Sequence, residues 1–275
     1  MEGVERMKKD FTFSKEHEHY LKNIRKKSLI VNIARCAILL FFLSLWEISA
    51  QLEWVNPFIT SSPSRICVTV AQLYKNGTLF YHVGRTLWET LAGFFIAVAL
   101  GYSIALLLWW SDLFRRISEP YFVVLNALPK IALGPLIIIW CGTGSKAIVF
   151  MTVLIGLIVA ILNMLGGFMA TDESKLLLLR SMGASKWQIL TKLVIPSSLP
   201  TFISMLKINV GMAWIGSIMG EYIVSKAGIG YLIVYGGQVF KLDLVMAAVL
   251  ILCILAAAMY ALVALLEKLV VKNKS

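Results

Sequence analysis

The chain has 275 residues, 59% of them hydrophobic and only 15% charged, with a formal net charge of +11. An ordinary soluble domain carries about a quarter charged residues, so that class is excluded. Membrane proteins collect Lys and Arg on their cytoplasmic side, so the positive surplus is no signal for nucleic acid. The apolar residues gather in segments of about 20, the length that crosses a ~30 Å hydrocarbon core, and a polytopic, all-α membrane protein follows.

Residues 1–28 are a charged arm, and no cleavable signal peptide is expected because the first apolar run is long and lies behind it. His17 and His19 stand i, i+2 in this arm, and Cys36, Cys67, Cys141 and Cys253 are scattered, so neither metal nor redox chemistry is expected. The first span is 29–50. A polar segment, 51–83, follows, with turn signals at Pro57, Pro63 and "KNGT". The second span, 84–110, ends in a Trp pair suited to a membrane interface. The third, 119–141, is interrupted by Pro129 and Pro135. The fourth, fifth and sixth run over 146–168, 199–221 and 243–267, and 269–275 is a tail.

Six spans place both termini on one side, and the basic residues say which. Seventeen Lys and Arg fall on the side of the termini and six on the other (Arg65, Lys75, Arg85, Lys146, Lys226 and Lys241). The termini and the 171–197 loop are therefore expected in the cytoplasm and 51–83 outside it. Gly93, Ala97 and Gly101 share a face of the second span, and Gly216 and Gly220 one of the fifth; small residues at this spacing allow close helix approach in lipid.

Two stretches stand out inside this apolar chain. "TDESKLLLLRSMGASKWQ" reads as soluble protein: Thr171, Asp172 or Ser174 can cap a helix, Gly183 can end it in a left-handed conformation, and a second short helix spans 185–194 before Pro196. Its apolar residues need a covering surface, whether lipid headgroups, the chain itself or a partner. The third span puts Pro129, Gly134 and Pro135 at membrane depth, where freed backbone groups must be buried in protein or face a watery cavity. Polar side chains in spans are pathway candidates: Asn126, Lys130, Asn163, Lys207 and Asn209. Lys207 has snorkelling as its alternative, and Asn163 a bond to a neighbouring helix. Glu221 ends the fifth span ahead of a glycine-rich segment containing Gly228 and Gly230, with pairing to Lys226 as its plainest role.

The loop resembles the cytoplasmic coupling loop, or EAA loop, of permease subunits of binding-protein-dependent ABC importers: Gly183 stands at the motif glycine and "VIP", ending at Pro196, at its close. "LPKIALGPLIIIWCGTGSK", "MGASKWQILTKLVIPSSLP", "GEYIVSKAGIGYLI" and residues 61–97 resemble the branch that imports nitrate, sulfonates, taurine and related small molecules. At the Glu-Ala-Ala positions this chain has Leu177, Leu178 and Leu179 instead, and Glu89 stands where the branch often has a basic residue, within reach of Arg85.

The resemblance implies a type I importer permease fold in a bacterial inner membrane, with six transmembrane helices and a two-helix coupling loop. It implies a homodimer, an ATPase subunit dimer that carries ATP and Mg, and an extracytoplasmic binding protein as partners, besides lipid. Leu177, Leu178, Leu179, Met182, Ala184 and Trp187 would then be buried against the ATPase, Arg180 and Lys186 would lie at the rim, and Gly183 and Ser185 would form the turn. Asn126, Pro129, Pro135, Asn163 and Asn209 would lie along the pathway, and Glu221, Gly228 and Gly230 at the outer gate. The chain has no GxxxxGK[ST] loop, so ATP hydrolysis is assigned to another chain. The rival reading is a self-contained secondary transporter or channel, which calls for inverted repeats and an intramembrane ion relay.

Overall fold

The computed structural model describes residues 15–272. Most of the expected arm, residues 1–14, and the last three residues of the tail lie outside that range, as do the side chains of His17, His19 and Cys36. The described residues form helices and turns throughout, with no strand among them.

The chain divides into two units, residues 1–65 and 66–275. The first holds α1 (Lys15–Gln51), with its apolar stretch at Leu29–Gln51, the short α2 (Pro57–Thr60) and the start of α3 (Pro63–Lys75). Asn56 caps α2 through its side chain. Glu47, near the end of α1, accepts from the Ser64 backbone N–H at 2.9 Å and the Ser64 hydroxyl at 2.8 Å, so one carboxylate caps the start of α3.

The second unit is built on α4 (Thr78–Trp110), α7 (Ser145–Met169) and α10 (Leu199–Val224). Of these α7 is the most enclosed. The small residues explain why. A Cβ on Gly93 would meet the Thr152 side chain at 2.4 Å and one on Gly101 the Ala160 Cβ at 2.4 Å, so α4 lies directly on α7. On its other side, a Cβ on Gly216 would meet Thr152 Cα at 2.6 Å. Both stripes read from the sequence are contact faces, and α7 is the helix that both of them grip. Phe94, Ala105, Leu108, Ile161, Met164, Phe168 and Trp214 fill the core between them.

The third span departs from expectation. Helix begins at Asp112, not 119, because Ser111 caps α5 (Asp112–Ala127). Leu128 is extended, as a residue before proline is biased to be, and Pro129 has no N–H to continue the ladder. A 3₁₀ turn (Lys130–Leu133) leads into α6 (Gly134–Cys141), and the two halves meet at 85°. Among the described residues five helices are thus long and apolar enough to cross a membrane, and six spans result if this bent pair counts as one.

Two further differences concern boundaries. The second span starts at Thr78, so the segment read as 51–83 already contains its first helical turn. The glycine-rich segment after Glu221 forms a further helix, α11 (Ile229–Gln238), which packs through Ile229 and Leu232 on Ala248 of α12 (Leu242–Lys272).

Candidate functional site

Between α7 and α10 the chain makes a compact hairpin. Asp172 caps α8 (Glu173–Ser181) by accepting from the N–H groups of Ser174 at 2.9 Å and Lys175 at 3.4 Å. Gly183 ends it with φ +77°, while Ala184 N–H donates to Leu179 O and Gly183 N–H to Arg180 O, both at 3.0 Å. This is the Schellman closure, which consumes the last carbonyls of the helix. Ser185 and Gln188 then form a reciprocal capping box at the head of α9 (Lys186–Ile189). A π turn (Leu190–Val194) follows and runs through Ile195–Ser197 into α10. Pro196 and Pro200 both sit in first turns of helices, where a missing N–H is harmless, so the helical course continues past Pro196 instead of ending before it.

The hairpin divides the candidate coupling residues by direction. Leu176, Leu179 and Ala184 pack against the bundle core. Leu177 (67% exposed), Leu178 (60%), Met182 (73%) and Trp187 (63%) face outward. Leu179 and Ala184 are therefore anchors rather than part of an open face, which corrects the reading of the leucine run as one patch. Lys186 also departs from the expected rim position. Its ammonium folds back to the Trp110 carbonyl oxygen and stands 5.3 Å from the Trp110 ring centroid. The Trp187 ring meets the same Trp110 edge-on, at 6.4 Å.

At the opposite end of the bundle the three outer-gate candidates come together. Glu221 is 1% exposed; its Oε1 accepts from the Thr86 hydroxyl at 2.6 Å and its Oε2 from Gly230 N–H at 2.5 Å. A Cβ on Gly228, whose φ is +112°, would lie 2.4 Å from the Glu221 carboxyl group. Only glycine fits this cradle. The alternative pairing of Glu221 with Lys226 is not made among the described residues, where Lys226 is exposed.

Sequence reasoning missed the groups that complete this end. His82 Nδ1 accepts from Gly228 N–H at 3.0 Å, Thr86 Oγ1 accepts from Ile229 N–H at 2.8 Å, and Thr90 donates to Ser217 at 2.7 Å. His82, Thr86 and Thr90 recur every four residues on α4, continuous with the Gly93–Ala97–Gly101 stripe, and that periodicity was the available signal. The local pair Arg85–Glu89 forms as expected, at 2.8 Å, and Ser145 donates to the same oxygen of Glu89 at 2.5 Å.

The pathway candidates separate. Asn126, Pro129 and Pro135 are exposed around the 85° break, and Lys130 donates to the Asn126 carbonyl at 3.0 Å. Asn163 donates to the Val159 carbonyl of its own helix at 2.8 Å, not to a neighbouring one. Asn209 is 1% exposed in the core, its Nδ2 on Met205 O and its Oδ1 against the face of Gly156. Lys207 pairs with Glu267 at 2.5 Å. Among the described residues no group of three or more His, Cys, Asp or Glu is placed to hold a metal ion.

A bundle of membrane-length helices with one bent span and a capped hairpin between two of the others is the layout of a multi-pass membrane transport subunit. Residues 79–273 match the family model described as binding-protein-dependent transport system inner membrane component, and the chain belongs to that family. It is a permease subunit of an ABC importer, a transport protein and not an enzyme. The formylaminopyrimidine transport permease protein ThiX of Halalkalibacterium halodurans is 33% identical over 195 residues, covering 70% of this chain and 77% of that protein. The taurine transport system permease protein TauC of Escherichia coli is 25% identical over 235 residues, covering 84% of each. The bacterial alginate ABC transporter, solved in complex with an alginate pentasaccharide-bound periplasmic protein, shares the fold at a TM-score of 0.59 and 14% identity, over 88% of this chain and 94% of that one.

Proposed function

We propose that this permease takes a small polar solute from an extracytoplasmic binding protein and passes it to the cytoplasm, driven by a separate ATPase that docks on the 171–197 hairpin. The supporting observation is the two-sidedness of that hairpin: it is anchored on one side and carries exposed Leu177, Leu178, Met182 and Trp187 on the other. Exposed apolar side chains fixed on a rigid, capped element are a docking face. The distribution of basic residues supports an orientation with the hairpin and both termini in the cytoplasm and the Glu221 end outside.

The mechanism follows from stiffness. Caps at Asp172, Gly183 and Ser185 remove the hairpin's own freedom. Displacement of the hairpin therefore passes directly into α7 and α10. Contacts that admit no side chain lock α10 to α7 at Gly216 and α7 to α4 at Gly93 and Gly101, so the three move as one body. ATP and Mg on the ATPase subunits close the ATPase dimer, draw two hairpins together and turn two such bodies about each other. The exposed surface at the 85° break, with Asn126, Pro129 and Pro135, is where two copies of this chain would enclose the pathway. ThiX and TauC support a solute of small size, a heterocycle or a sulfonate.

Co-purification tests the docking face. The chain is co-expressed with the ATPase encoded beside it, and one is pulled down while the other is followed. A complex that forms with the native chain and is lost with Met182→Asp together with Gly183→Pro supports the reading. No complex in any mild detergent, or one that survives both substitutions, removes the hairpin as the docking face.

A further inference from the structure

The underside of the hairpin contains a second feature. Between it, the α4–α5 junction and the end of α7 lies a cavity of about 440 Å³. Three of its lining side chains are cationic, Arg115, Arg180 and Lys186, and one is acidic, Asp112. Their charges are not equally satisfied. Arg115 is held by Asp112 at 2.6 Å and Glu119 at 3.2 Å, and the other oxygen of Asp112 takes Arg116 at 2.7 Å. These two acids and two arginines compensate one another.

Arg180 and Lys186 have no such balance. Lys186 contacts a backbone carbonyl and two indole rings, none of which carries a negative charge. The Arg180 side chain makes neither a hydrogen bond nor an ion pair among the described residues. Two cations without counter-charges therefore converge on one cavity, beside the Trp109–Trp110 pair that ends a membrane-length helix. Indole pairs at helix ends mark headgroup depth. The rest of the wall is mostly apolar and includes Phe168 and Met169. A guanidinium fork and an ammonium together match a phosphate, the guanidinium through paired N–H donors.

We infer that this cavity is a binding site for the phosphate of an anionic phospholipid headgroup from the leaflet on the hairpin side. The same phosphate chemistry could arrive as a free organic phosphate, but the position at headgroup depth and the apolar wall favour a lipid. A lipid bound here bridges the hairpin to the α4–α5 junction, so it stiffens the element that the docking proposal uses without depending on that proposal.

The test is native mass spectrometry of the full chain, released from mixed micelles with equimolar dioleoyl phosphatidylglycerol and dioleoyl phosphatidylcholine. The native chain is expected to retain phosphatidylglycerol preferentially. Arg180→Gln with Lys186→Gln removes that preference, by about tenfold per cation lost, the value of a charge-assisted hydrogen bond. Arg180→Lys, which keeps the charge, retains most of it. If the double variant does not remain monodisperse, Arg180→Gln alone decides, since that side chain makes no bond within the chain. A second arm adds millimolar glycerol 3-phosphate. Retention that resists it supports a lipid, and displacement of the lipid by it makes the occupant a free phosphate and overturns the lipid assignment. Equal retention of the two lipids by the native chain, or a preference unchanged in the variants, overturns the site itself. No ATPase is present, so these outcomes are independent of the docking reading.

Discussion

The two ends of α10 are finished in opposite ways. At the Glu221 end, polar side chains from α4 and α10 are buried, and each bond of the ladder is made within the chain: Glu221 to Thr86 and Gly230, Thr90 to Ser217, His82 to Gly228. At the hairpin end, apolar side chains stand in the open, and nothing among the described residues covers them. Buried hydrogen bonds of fixed geometry admit one arrangement and resist deformation. Exposed leucines and a tryptophan on a capped element have little to hold them except a partner. One end is a lock and the other, on the docking proposal, a socket for a counterpart, a division of labour that would suit a body pushed at one end and carrying the motion to the other.

The largest effect that can break this comparison is at Gly228. Gly228→Ala puts a Cβ into the Glu221 carboxyl group in a left-handed conformation. The strain is about 3 kcal/mol, from the unfavourable φ and the overpacking together, and thermal melting of the purified chain should show the fall. A variant as stable as the native chain would mean that the cradle is loose and the lock does not exist. Next is Glu221→Gln. A carboxylate presents two acceptors to two donors, Thr86 O–H and Gly230 N–H, whereas a carboxamide presents one acceptor and an NH₂ group. The Gly230 N–H can keep the carboxamide oxygen, but the Thr86 hydroxyl must give up its 2.6 Å bond to the carboxylate and turn its proton to the His82 carbonyl at 3.2 Å, an exchange that costs about 2 kcal/mol by the same melting measurement.

Much of this was legible in the sequence, and the parts that were not share a cause. Span lengths, the glycine stripes and the hairpin caps are local patterns, and Asp172, Gly183 and Ser185 serve as caps for reasons contained within four residues of each. What the sequence could not show was partnership across distance. Glu221 looks as though it belongs to Lys226, five residues away, yet its hydroxyl donor is Thr86, 135 positions back. Lys186 is bonded to Trp110, 76 positions back. The run Leu176–Leu179 has no period of its own, so only the packed hairpin separates Leu176 and Leu179, turned inward, from Leu177 and Leu178, turned outward. The third span was expected only from 119, which left Arg115 and Arg116 outside it; both lie on α5, where their pairing with Asp112 supports the first turns.

At the hairpin end the comparison predicts the reverse pattern, with binding lost and stability kept. Met182→Asp places a charge on the outward face, where the native side chain is 73% exposed and makes little contact with its own chain. Its melting temperature should stay near that of the native chain, while affinity for the ATPase falls by about tenfold or more, the loss expected when an apolar contact near the centre of an interface is replaced by an unpaired charge. A variant that unfolds instead would show that the face is structural.

The smallest effect tests whether the hairpin end contains a hidden lock of its own. Lys207 and Glu267 tie α10 to α12 at 2.5 Å, with side chains 22% and 37% exposed. Water reaches both groups, so Lys207→Gln leaves Glu267 able to rehydrate, and the loss should be under about 1 kcal/mol, as for other partly exposed pairs. This is the same kind of measurement as for Glu221→Gln, made on the other half of the same helix. If the Lys207 variant melts well above the Glu221 variant, the internal bonds are concentrated at the Glu221 end, and the hairpin end depends on what docks there. If the two melt together, α10 is fastened equally at both ends, and the exposed leucines are then a surface that the chain can do without.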